Sequence, residues 1–182
     1  MPAKDEILIV LDFLRTGKAG DRRAEPVSQG VGEKYFSLLE VVIKDGVEVK
    51  VKDKLYIGEG KRDQVKYIRS KIAFDELTNY AKDVLEEVVN EIVANDEKRF
   101  VDFFNKSNAL TTRMHSLELL PGIGKKHLWD IISERKNKPF ETFEEIKQRI
   151  PMVGDPKRMV IKRIMDELQE KDRHHLFVSG II

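Results

Sequence analysis

The sequence predicts an α+β protein: a small β-barrel first, linking helices next, and an all-α part last. Three observations lead there. Within residues 1–74, short apolar runs rich in β-branched residues alternate with turn signals. Residues 75–94 carry one apolar stripe at helical spacing. Beyond residue 109, a hydrophobe-Pro-X-hydrophobe-Gly turn occurs twice, 30 residues apart. The domains expected are a barrel at 1–74, linking helices at 75–108, a helical domain at 109–171 and a tail at 172–182.

The strands come first. Residues 6–14, Glu-Ile-Leu-Ile-Val-Leu-Asp-Phe-Leu, read as a buried strand. Residues 15–34 hold Arg15, Lys18, Arg22 and Arg23 with four glycines and one proline, and read as a long basic loop. Residues 35–43 form the next strand, and Asp45-Gly46 is a hairpin signal. Val47–Val51 alternates like a half-buried strand, Lys54–Gly58 reads as another, and Gly58-Glu59-Gly60 turns the chain. Val65–Ile72 fits strand or helix and is read as the closing strand. Several short strands joined by tight turns suggest an OB-like barrel. Such a barrel binds oligonucleotides through mixed basic and aromatic side chains. The candidates are Tyr35, Tyr56 and Tyr67 with Arg22, Arg23, Lys61, Arg62, Lys66 and Arg69. The same tyrosines would serve equally to pack a barrel rim.

In residues 75–94, Asp75 is the expected N-cap. Leu77, Ala81, Val84, Leu85, Val88 and Ile92 share one helical face, while Asp83, Glu86, Glu87 and Glu91 make the other acidic. A short helix at 97–105 brings Phe100, Val101, Phe103 and Phe104 as core, and 105–108 reads as a loop and boundary.

The stretch Leu117–Trp129 carries the chemistry. A helix from an N-cap at Thr112 is expected to run into Pro121, turn through Gly122-Ile123-Gly124 and leave as a second helix. Glycines permit positive φ and close approach of a ligand to the backbone. The N–H groups that open a helix lack intrahelical partners, and the helix dipole adds positive potential there. Lys125 and Lys126 sit in that first turn, a poor place for cations unless an anion occupies it. Pro-Gly-Ile-Gly-Lys-Lys resembles the core of a helix-hairpin-helix, a resemblance that implies a grip on one sugar–phosphate backbone without base reading. The candidate residues are Gly122, Ile123, Gly124, Lys125, Lys126 and His127. A second copy, Ile150-Pro151-Met152-Val153-Gly154, follows an N-cap candidate at Thr142. It departs from the pattern: Met152 stands for the first glycine and Asp155 for Lys125. A carboxylate there stabilises the helix and repels phosphate. Lys157 and Arg158 remain able to reach outward.

Composition narrows the function classes. Cysteine is absent, which excludes disulfides and cysteine zinc fingers. No secretory signal or membrane-length apolar run is present, so the cytoplasm is the expected compartment. No cofactor loop, metal motif or catalytic constellation is found, and a non-enzyme with no metal and no cofactor is expected. His174-His175 is an adjacent pair without ligand spacing. The net charge of +1 hides an uneven distribution. Residues 75–102 hold 3 basic and 9 acidic side chains, while 109–171 hold 13 and 10, so basic blocks flank an acidic one.

Over nearly its full length the chain resembles an archaeal domain-of-unknown-function family of DUF655 type. The stretches that carry the resemblance are Tyr56–Asp63, Phe74–Thr78 and Met114–Lys126. The resemblance implies an OB-like N-terminal part, a tandem helix-hairpin-helix and nucleic-acid binding. The expected function is non-sequence-specific binding of nucleic acid, RNA ahead of DNA, by the phosphate backbone. The alternatives are a protein-interaction adaptor in a ribosomal or transcription assembly, with helix 75–94, Trp129 and Met152 as contacts, and a repair or nuclease accessory protein.

Overall fold

The computed structural model describes residues 3–179. Strands β1 (Ile7–Leu14), β2 (Val27–Gly32), β3 (Leu38–Ile43), β4 (Lys54–Tyr56) and β5 (Val65–Lys71) precede helices α1 (Asn79–Asn95), α2 (Glu97–Lys106), α3 (Lys125–Asn137), α4 (Phe143–Arg149) and α5 (Pro156–Leu168). The fold is α+β. The chain divides into two compact units, one running to Val88 and resuming at Glu167, the other covering Val89–Asp166. These borders fall within α1 and α5.

In the first unit all five strands form one antiparallel sheet, ordered β4-β1-β2-β3-β5 and curled into a half-barrel. Leu8, Val10, Val41, Ile43, Val49, Leu55, Ile57 and Val65 form its apolar core. β1 bulges between Val10 and Asp12 in its pairing with β2, and pairs with β4 through Ile7–Ile9 on its other edge. Val65–Lys71 is a strand, as read, and pairs with β3.

Two expectations fail here. Residues 15–34 are not one loop, because Val27–Gly32 is β2, the central strand, buried along its whole length. Its polar residues disguise it, and each has a remote partner. Gln29 donates to Glu40 Oε2 at 2.9 Å and to the Glu76 carbonyl at 3.1 Å, and it accepts from Thr78 N at 2.8 Å. Ser28 donates to the Asp12 carbonyl at 3.0 Å. Conversely, Val47–Val51 is not a strand. Val47 N donates to Lys44 O, Lys50 N to the Asp53 carboxylate, and Lys52 lies at φ +74, so the segment is spent on turns.

Helix α1 starts four residues later than expected. Phe74–Glu76 is a separate 3-10 turn, and Thr78 rather than Asp75 caps α1, its Oγ1 accepting from Ala81 N at 3.1 Å. Of the expected stripe, Leu77, Ala81, Leu85, Val88 and Ile92 are buried and Val84 is half-buried. Residues 172–179 fold back on the end of α5, and Ser179 N donates to the Tyr35 carbonyl at 3.1 Å. The buried Glu167 carboxylate accepts from Leu176, Phe177 and Val178 N at 2.6, 3.0 and 2.9 Å.

The second unit is helical. Phe100, Val101 and Phe104 of α2 are buried, and Phe104 meets Phe143 edge-on with ring centroids 6.4 Å apart. Arg135 closes the end of α2 by donating to the carbonyls of Phe104 (3.1 Å) and Ser107 (2.9 Å). Asn105 exchanges two 2.8 Å hydrogen bonds with Phe140, which fixes the connector between α3 and α4. Among the described residues no helix is long and apolar enough to cross a membrane.

Candidate nucleic-acid interface

The turn from Leu120 to Gly124 is set by local bonds. Thr112 does not start a helix. Thr111 Oγ1 instead accepts from Arg113 and Met114 N, and only the single 3-10 turn Ser116–Leu119 precedes Pro121. His115 opens that turn. Its Nδ1 accepts from Leu117 N at 3.1 Å, and its own N–H donates to Glu118 Oε2 at 2.8 Å. Burial, with Arg135 nearby, lowers the His115 pKa below the ordinary imidazole range, so the ring stays neutral and able to accept. Leu120 N donates to Leu117 O and Ile123 N to Leu120 O, each at 3.1 Å, while both side chains are buried. The Ile123 N–H is thus committed to the turn and is withdrawn as a phosphate donor.

The two glycines differ. Gly122 sits at φ +94, and a Cβ there would lie 3.1 Å from Met159 Cε. Gly124 is extended at φ −97, not left-handed as the sequence suggested, and a Cβ there would meet nothing within 4 Å. Glycine at 122 spares the turn the cost of a side chain in the left-handed region. Gly124 leaves open space in front of α3.

Gly124 caps α3 without a side-chain bond, and its carbonyl accepts from Leu128 N at 2.9 Å. Lys125, Lys126 and His127 fill the first turn, where N–H groups have no intrahelical acceptor. Lys125 Nζ lies 2.8 Å from Glu118 Oε1 and 3.3 Å from the Arg113 carbonyl. The His115 N–H and then Lys125 hold the Glu118 carboxyl below its usual pKa. Lys126 is exposed and its ammonium meets no partner among the described residues. His127 Nδ1 lies 3.4 Å from the Gly122 carbonyl.

The second turn repeats the left-handed residue but not the extended glycine, since Gly154 sits at φ +90 where Gly124 sits at φ −97. Met152 takes φ +60 where Gly122 takes φ +94, and is 92% exposed. Val153 is buried like Ile123. Asp155 Oδ1 accepts from Arg158 N at 3.2 Å, and Pro156 has no N–H to offer. The start of α5 is therefore filled by its own sequence, whereas that of α3 is open. Lys157 is half-buried and Arg158 exposed.

The basic residues of the first unit are not gathered into one patch. Arg69 forks onto Asp21 at 2.9 and 2.7 Å, and this pairing first, then the Lys18 N–H, holds the Asp21 carboxyl at about 2. Tyr67 donates to Glu25 at 2.8 Å, and Lys66 lies 3.9 Å from the same carboxylate. Arg62 Nε donates to the Gly58 carbonyl at 2.9 Å, and the Tyr56 hydroxyl accepts from Gly60 N at 3.2 Å. Of the candidate cations, Arg22, Arg23 and Lys61 are exposed, and their side chains make no hydrogen bond or ion pair among the described residues. Sequence reasoning passed over Asp21 and Glu25, the carboxylates that neutralise this loop. Their place beside Arg22 and Arg23 was the available signal. It also passed over Lys136, which shares the exposed face of α3 with Lys125 and Trp129.

Residues 4–179 match the family described as a protein of unknown function, DUF655. The chain belongs to that family. It is 45% identical over 178 residues to the uncharacterized protein MJ0038 of Methanocaldococcus jannaschii, a match covering 95% of this chain and 81% of the relative. It is also similar to the DUF655 crystal structure of Af1531 from Archaeoglobus fulgidus, with a TM-score of 0.85 at 44% identity. That match covers 96% of this chain and 99% of Af1531, so the α+β architecture is shared with this DUF655 relative nearly from end to end.

Proposed function

We propose that this DUF655 protein binds nucleic acid without sequence specificity, RNA ahead of DNA, by holding the phosphate backbone at the turn Gly122–His127. The observation that carries the reading is the open start of α3: no side chain caps it, Gly124 leaves its approach clear, and Lys125 and Lys126 are exposed beside it. Cations in the first turn cost a helix a few tenths of a kcal/mol, up to about 1. A bound phosphate reverses that sign and gives the uncommitted N–H groups an acceptor. The second copy at Pro151–Gly154 supports a tandem helix-hairpin-helix in which one hairpin grips and the other, capped by Asp155, is structural. In the first unit, an OB-like reading is supported by the order β4-β1-β2-β3-β5, whose two edges are the strands such a barrel brings together. Arg22 and Arg23 then lie in the β1–β2 loop and Lys61 in the β4–β5 loop, the two loops such barrels use on oligonucleotides. The reading invokes no catalytic group, metal or cofactor.

A salt titration of RNA and DNA binding tests it. Log K should fall linearly with log salt, with a slope of about −0.7 per phosphate held on single strands. Lys125→Glu with Lys126→Glu should weaken all sequences alike, by roughly tenfold or more at low salt. No binding of either polymer at low salt overturns the proposal, and an unchanged affinity in the double variant removes the hairpin from it.

A further inference from the structure

Helix α3 exposes more than its start. Lys125, Lys126, Trp129, Ser133 and Lys136 are all exposed and fall within about one third of the helix circumference. Leu128 and Ile131, on the opposite side, are buried. Trp129 is 64% exposed, and among the described residues its indole has neither a hydrogen bond nor a ring partner. Asp130 and Glu134 lie beyond the exposed arc, and Glu134 is engaged by Arg149, whose Nε is 3.3 Å from its carboxylate. The arc is therefore a large flat π-surface bordered by cations, of which Lys125 is paired with Glu118 while Lys126 and Lys136 have no ion pair among the described residues. That is the side-chain set that accepts an anionic chain carrying flat rings.

Resting on the nucleic-acid reading above, we propose that Trp129 stacks on an unpaired base of a single-stranded segment whose phosphates run along Lys126, Lys136 and the start of α3. Trp129 lies about 6 Å along the helix axis from Lys125, one turn on, so indole and ammonium face the same side of the strand. A continuous duplex keeps both faces of every base stacked and offers the indole no partner. An unpaired base in a loop, bulge or single strand does. The ligand class is thus narrowed from nucleic acid in general to nucleic acid with unstacked bases.

The chain contains one tryptophan, so its emission reports this site alone. The intact protein is titrated at low salt with a single-stranded RNA, the DNA of the same sequence, and blunt duplexes of each. Single strands should quench the emission and duplexes should not. Trp129→Ala should weaken single-strand binding roughly 5- to 150-fold while leaving duplex affinity unchanged, and Trp129→Phe should retain most of the binding. Equal quenching by duplex and single strand, or a Trp129→Ala protein that binds every polymer as the native one does, overturns the proposal and leaves the indole to a protein partner. If no polymer binds at all, the nucleic-acid reading itself falls. Binding without quenching removes only the stacking.

Discussion

Three residues carry the asymmetry between the two turns: Gly122, Gly124 and Met152. Gly122 is left-handed and pressed by Met159, while Gly124 is extended and unobstructed. Gly122→Ala should cost about 1–2 kcal/mol of unfolding free energy, because an L side chain pays for the left-handed region. Gly124→Ala should leave stability nearly unchanged. Chemical denaturation of the two variants checks this, and equal costs would mean that the turn is not held as described. Met152 shows that the second turn accepts the same strain with a side chain almost wholly in water.

At the scale of elements, α3 and α5 follow turns that share a left-handed residue at Gly122 and Met152 but not at the second glycine, where Gly154 is left-handed and Gly124 extended, and they differ in who satisfies the helix start. α5 uses its own Asp155, and α3 has no side-chain cap among the described residues. The β1–β2 loop makes a similar point about charge. Asp21, ordinarily near 3.8, is lowered to about 2 by Arg69 of β5, so folding favours its charged form. This tether is complete above pH 3.8 and is lost as pH falls through about 2. An NMR titration should give Asp21 a midpoint near 2 in the native protein, returning most of the way to the ordinary value in Arg69→Ala. A native midpoint already at the ordinary value would show that the loop is not tied to β5.

At the scale of the whole molecule, the first unit is discontinuous, and its last piece is folded around one buried carboxylate of its own. Glu167 satisfies three successive N–H groups, after which Ser179 N reaches the Tyr35 carbonyl at 3.1 Å. Glu167→Ala strips those groups of their acceptor and should cost about 3 kcal/mol or more, with faster hydrogen exchange at Leu176–Val178. An unchanged denaturation midpoint and exchange rate would remove residues 172–179 from the account of stability.

What was legible in the sequence is what depends on neighbours a few residues apart. The stripe of α1 holds because Ala81, Leu85, Val88 and Ile92 repeat at helical spacing, and the Thr142 cap holds because its oxygen reaches Glu145 N within one turn. The repeat at Pro121 and Pro151 was visible for the same reason, down to the residue that separates an open helix start from a filled one. What only the tertiary structure decided depends on partners far along the chain. β2 is a central strand because Glu40, Glu76 and Thr78 satisfy Gln29, and no local pattern could make Val-Ser-Gln-Gly-Val-Gly look buried. Val47–Val51 alternates like a strand, yet turns take up its backbone groups. Arg69 reads as a free cation until Asp21, 48 residues away, is placed against it. Periodicity reports which face of an element is apolar. It is silent on which charges meet, because pairing is settled by distances that the fold alone sets.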